Sequence, residues 1–198
     1  MKIFNWFNKK QEVENIFHQW VKFPVNPGVD LFKEFPEHTD CSGHVQVPVE
    51  LLDKEFVYFF KQFNIAQDLW EAFYTAPFGK IWIHTDTAGF GDACKINWTW
   101  GSSLSETRWW DVKDPSKLEP IVTDFGVNYL RAEEENCKLL YNQTMTKPSI
   151  VQVGLLHSTY NPDVTGRWTL CLPLLTPDKV DRYSWVDTHQ MFKDYLDK

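Results

Sequence analysis

From Gly79 onward the chain breaks into short β-rich runs, and no other feature constrains its fold as much. The runs are GKIWIH (79–84), ACKINWTWG (93–101), TRWWDV (107–112), CKLLYNQ (137–143), SIVQVGLL (149–156) and RWTLCLPLL (167–175). They are dense in β-branched and aromatic residues and bounded by Gly, Pro or Asn, the punctuation of sheets whose strands are joined by turns. Within the first run Ile81 and Ile83 fall on one face and Trp82 and His84 on the other, the period of two of a pleated strand. Six such runs in succession predict a sandwich or barrel.

The flanks read differently. Residues 24–48 are rich in proline and read as loop, with a short strand at 44–47. In PVELLDKEFVYFFKQF (48–63), Leu51, Leu52, Phe56, Phe59, Phe60 and Phe63 form an i, i+3/i+4 stripe, which predicts a helix starting at Pro48. IAQDLWEAFYTA (65–76) reads as a second short helix ending before Pro77, and SWVDTHQMFKDYLDK as a closing amphipathic helix over about 184–196. Helices before and after a run of strands predict an α+β, mainly β, single domain spanning 1–198. Its helical and loop part covers about 1–77 and its β-core about 78–175.

Bulk composition narrows the class. A chain of 198 residues with 43% hydrophobic and 24% charged residues can bury one sizeable core. The formal charge of −7 argues against nucleic acid and anionic lipid as partners. No apolar run approaches the ~20 residues of a membrane span. The start, MKIFNWFNKKQEVENIF, lacks the apolar stretch of a signal peptide and reads as an amphipathic segment packed on the domain. These features predict a cytoplasmic protein with reduced thiols at Cys41, Cys94, Cys137 and Cys171.

One constellation carries chemistry. His84 and Asp86 stand in KIWIHTDTAGFG, and in an extended segment residues i and i+2 point to the same side. His157 follows in GLLHSTYNP, and Arg167 ten positions later in GRWTLCL. Two histidines and a carboxylate can hold one face of a ferrous ion and leave other positions open. Arg167 shares a strand face with Thr169, and an inward guanidinium on an apolar strand needs an anionic partner, either an internal carboxylate or a bound one. H-x-D alone is weak, and each of these residues alone reads more simply as a surface or packing residue; taken together and in this order they point to a metal site. Trp109, Trp110 and Tyr160 flank it in sequence and read equally well as pocket lining or core. His18, His38, His44 and His189 lack ligand spacing, and RAEEENCK (131–138) reads as a solvated charge run.

The order H-x-D, distal His, then Arg resembles the iron(II)/2-oxoglutarate-dependent oxygenase superfamily. FGKIWIHTD, KINWTWG and PSIVQVGLLHSTYNPDVTGRWTLCLPL resemble its core over roughly residues 78–175, about half the chain. Within the superfamily the chain is most similar to small members of the aspartyl/asparaginyl and prolyl hydroxylase type. The resemblance implies a double-stranded β-helix, a jelly-roll or cupin-like core. It implies Fe(II) held by His84, Asp86 and His157, and 2-oxoglutarate held by Arg167 with Thr169 as a second contact and Asn97 facing the same pocket. It further implies ascorbate as reductant and hydroxylation of a C–H bond, on a small molecule or a protein side chain, with release of succinate and carbon dioxide. Two other readings stay open: a non-catalytic cupin-like ligand-binding protein, and a cupin-type metalloenzyme that does not use 2-oxoglutarate.

Overall fold

The β-rich runs pair into two sheets, and alternation of side chains gives the inner and outer faces of each different chemistry. The computed structural model describes residues 16–39, 41–122 and 128–197; the first fifteen positions, and with them most of the expected amphipathic leading segment, lie outside these. The strands are β1 (His18–Trp20), β2 (Gly43–Gln46), β3 (Glu71–Thr75), β4 (Lys80–His84), β5 (Cys94–Gly101), β6 (Glu106–Val112), β7 (Glu119–Val122), β8 (Asn128–Ala132), β9 (Cys137–Thr144), β10 (Ser149–Gln152), β11 (His157–Tyr160) and β12 (Arg167–Pro173). The helices are α1 (Leu31–Glu34), α2 (Lys54–Phe60) and α3 (Trp185–Met191). The first sheet has the order β1-β10-β5-β12-β3-β2 and the second β7-β8-β4-β11-β6-β9, with all pairings antiparallel. From β3 to β6, and again from β9 to β12, successive strands change sheet. The protein is therefore mainly β, as expected.

The hydrophobic core lies on the outer face of the first sheet, under the helices. Ile96 and Trp98 of β5, Trp168, Leu170 and Leu172 of β12, and Ala72 and Tyr74 of β3 pack there against Phe56 and Phe60 of α2 and against Phe192. Period two then sends Lys95, Asn97 and Thr99 of β5, Arg167, Thr169 and Cys171 of β12, and Glu71, Phe73 and Thr75 of β3 to the inner face. There they look toward the second sheet. Trp109 bridges the two layers: it packs with Val151 and Val153, and its indole N–H donates to the Gln152 carbonyl at 2.9 Å. Every residue of β12 is buried, because this strand is covered on both faces.

Several expectations need correction. Residues 65–76 do not form a helix: they end in β3, paired on both sides with β12 and β2. Trp70, Ala72 and Tyr74 are buried at a spacing of two, so sheet pairing decides where the local spacing looks helical. The helix expected from Pro48 begins at Lys54, because Asp53 caps it and accepts from the Glu55 and Phe56 amides at 2.8 and 3.1 Å. Pro48 instead precedes a 3₁₀ turn. The part expected to be helix and loop over 1–77 supplies three strands of the first sheet. The closing helix is shorter than 184–196: Ser184 caps α3, and a 3₁₀ turn follows at Lys193–Tyr195.

The run SIVQVGLL is not one strand. β10 ends at Gln152 in the first sheet and β11 begins at His157 in the second. Gly154 makes the crossing possible, since a Cβ there would lie 2.5 Å from the Gly91 carbonyl oxygen. Backbone bonds Gly91 N–H to Gly154 O (3.0 Å) and Val153 N–H to Ala93 O (2.8 Å) hold the two segments together. Among the described residues no helix is long and apolar enough to cross a membrane.

Candidate metal centre

The crossing at Gly154 places His157 beside His84. The two are paired across β11 and β4, and Trp109 of β6 flanks His157 on its other side. Asp86 lies two residues past β4, where its amide donates to the Val153 carbonyl at 2.8 Å. Thr85 turns the other way, its backbone and side chain bonded to Leu130. Asp86 thus returns to the face of His84, as the i, i+2 argument requires.

The donor atoms converge. Asp86 Oδ1 lies 3.2 Å from His84 Nε2 and 3.8 Å from His157 Nε2, and the ligand atoms of the three residues all fall within 4.8 Å of one another. Neighbouring ligands at ~2.1 Å from one cation stand roughly 3 Å apart, so the separations suit a shared ion. Each histidine is held by the carbonyl two residues before it: His84 Nδ1 lies 2.8 Å from Trp82 O, and His157 Nδ1 2.9 Å from Leu155 O. An Nδ1–H donated to a carbonyl leaves the Nε2 lone pair free, the tautomer a metal ligand needs.

Electrostatics favour the same state. Burial pushes the His157 pKa down to about 4, helped by the neighbouring His84, so this imidazole is neutral at ordinary pH. Burial opposes ionisation of Asp86, but the Lys95 ammonium and the two imidazoles outweigh it and hold the carboxyl well below its usual range. Lys95 reaches in from β5, with Nζ 2.7 Å from Asp86 Oδ2 and 3.1 Å from Glu71 Oε2.

Arg167 occupies the same inter-sheet space at the far end of β12. Its side chain is buried; Nε donates to Thr169 Oγ1 at 3.0 Å and Nη1 to Ser105 Oγ at 3.0 Å. Among the described residues no carboxylate pairs with it, and burial lowers its pKa to about 10, which still leaves it charged. Between Lys95 and Arg167 the inner face carries Asn97 Oδ1, Thr99 Oγ1 and, opposite Asn97 on β10, Ser149 Oγ. All three are buried without a hydrogen-bond partner among the described residues. An unsatisfied buried polar group costs ~1–3 kcal/mol, so this stripe and the lone guanidinium suit a polar, anionic ligand.

The other aromatic candidates serve the fold. Trp109 packs against Phe17, His18 and Tyr141, the Trp110 indole donates to Ser158 Oγ, and the Tyr160 ring lies under Arg108 at 4.2 Å. Sequence reasoning missed Lys95, Glu71, Ser105 and Arg131. Lys95 was open to the argument applied to Arg167, a buried cation on an apolar strand. Arg131 was absorbed into a charge run. Glu133, Glu134 and Glu135 are exposed as that reading expects, but Arg131 pairs with His84 across β8 and β4 and lies 4.8 Å from the Trp82 ring.

No protein-family model and no curated protein matches this chain in sequence.

Proposed function

We propose that the protein is an Fe(II)- and 2-oxoglutarate-dependent oxygenase that hydroxylates a C–H bond. The observation that carries this reading is the pairing, within one inter-sheet space, of a His84/Asp86/His157 donor set with a buried Arg167 that has no carboxylate partner among the described residues. The donor set fits a ferrous ion: two imidazoles that turn Nε2 toward one carboxylate. The change of sheet from strand to strand supports a double-stranded β-helix as the core, with β3 as its first strand.

When bound, ferrous iron and 2-oxoglutarate together activate dioxygen and deliver a hydroxyl to carbon, with succinate and carbon dioxide released. The chain's own work is binding and orientation. His84 and His157 present Nε2 because their Nδ1 atoms are occupied. Arg167, kept rigid by Thr169 and Ser105, offers its remaining N–H groups to the distal carboxylate of the oxo-acid. Asn97 and Thr99 line the floor between the two sites. Trp109, fully buried and paired with His157 across β6 and β11, packs that side of the fold beside the histidine.

Succinate formation from 2-oxoglutarate with Fe(II) and ascorbate tests this directly, because uncoupled turnover needs no prime substrate. The expected outcome is slow turnover that His84→Ala and Asp86→Ala abolish. A folded wild-type protein that binds neither iron nor 2-oxoglutarate would rule the reading out.

A further inference from the structure

Resting on that metal-centre reading, we propose that Lys95 is a positioning residue that holds Asp86 to one-oxygen ligation, with Glu71 as the counter-ion that makes a lysine tolerable beside a cation. The two oxygens of Asp86 have different partners. Oδ1 faces both imidazole Nε2 atoms, at 3.2 and 3.8 Å. Oδ2 is engaged by Lys95 Nζ at 2.7 Å. An oxygen held by a buried ammonium is not free to swing onto the ion. A carboxylate that ligates through both oxygens takes an extra coordination position, and a co-substrate with two donor atoms needs that position.

Charge explains the third member. An ammonium next to a divalent cation would repel it. Here Lys95 Nζ also lies 3.1 Å from Glu71 Oε2 and 5.2 Å from the Phe73 ring. The Lys95 side chain is 9% exposed, so little water screens these interactions. Asp86, Lys95 and Glu71 together keep one net negative charge facing the two imidazoles. The triad also ties the sheets together: Lys95 and Glu71 belong to the first and Asp86 follows a strand of the second. The positions of β5 and β3 are thereby transmitted to the ligand.

The test is the binding and visible spectrum of Co(II), which reports coordination without turnover. Lys95→Met alone would leave both carboxylates without their shared ammonium, so it is combined with Glu71→Gln. This double variant is expected to bind Co(II) about tenfold more weakly or worse, the usual effect of losing an outer-sphere partner, and with an altered band shape. Glu71→Gln alone keeps the Lys95–Asp86 contact and is expected to keep the wild-type band shape with weaker binding. A double variant with wild-type affinity and spectrum overturns the proposal while leaving the metal centre standing; a wild type that binds no divalent cation overturns both. Infrared difference spectra of wild type labelled with ¹³C-aspartate need no variant to fold. A wide separation of the carboxylate stretches on metal binding is expected, and the narrow separation of two-oxygen ligation overturns the assignment.

Discussion

At the scale of single residues, the site depends on which atom of each side chain is already occupied. Nδ1 of His84 and of His157 is held by a carbonyl, so only Nε2 is left to offer. Arg167 is held at Nε by Thr169 and at Nη1 by Ser105, so its remaining N–H groups are pre-oriented and lose little freedom on binding an anion. Under the proposed function, Arg167→Met should therefore weaken 2-oxoglutarate binding by roughly tenfold to a hundredfold, the loss of charge-assisted hydrogen bonds worth ~1.5–3 kcal/mol. Calorimetry on the metal-loaded protein measures this. Metal affinity itself should not change, because Arg167 touches none of the three donors. An equal loss of metal affinity would show that the two sites are not separable.

At the scale of elements, the connection from β10 to β11 decides whether the site exists. It carries the chain from one sheet to the other in four residues, and Gly154 lies against the 91–93 segment with no room for a side chain. Gly154→Ala should lower stability by ~1–3 kcal/mol through overpacking. It should also weaken metal binding, since the crossing sets His157 against Asp86. Gly89 lies in the same loop region, but a Cβ there would meet nothing within 4 Å. Gly89→Ala should leave both melting temperature and metal affinity near wild type. If both substitutions behave alike, steric fit at the crossing is not what positions His157.

At the scale of the whole molecule, the two faces of the first sheet divide the work. The outer face holds the largest apolar cluster; the inner face holds charged and polar groups, some paired with one another and some without a partner among the described residues. The β1 and β9 side of the inter-sheet space is filled by His18, Phe17, Trp109 and Tyr141. His18 is buried, and burial lowers its pKa to about 4. Above pH ~6.5 the ring is neutral in both folded and unfolded chains, and its contribution to stability is fully present. As pH falls from ~6.5 toward ~4, the unfolded chain takes up a proton that the folded one refuses, and stability declines. Thermal melts of metal-free protein across this range should show that slope, and His18→Phe should make it shallower. An unchanged slope would mean that other groups govern the acid limb.

Much of this was legible in the amino-acid sequence, because it rests on local geometry. Period-two patterning identifies β4, β5, β6 and β12 with little error, and the side-sharing of His84 with Asp86 and of Arg167 with Thr169 follows from the pleat alone. The distant pairing of His157 with His84 was open only as an expectation, since nothing local says which strands become neighbours. Elsewhere the local signal misled. Residues 65–76 have apolar spacing compatible with a helix, yet pairing with β12 and β2 draws 71–75 into a strand. SIVQVGLL looks continuous, yet it is split by a glycine, Gly154, whose neighbour is Gly91, sixty-three residues away in the chain. Lys95 and Glu71 read as two unrelated charges until β5 and β3 flank the same strand, β12. The candidate ligands His84, Asp86 and His157 are picked out by side-chain chemistry and spacing, which a sequence records. Their second partners, and the sheet in which each strand lies, depend on long-range packing and burial, which only the assembled sheets determine.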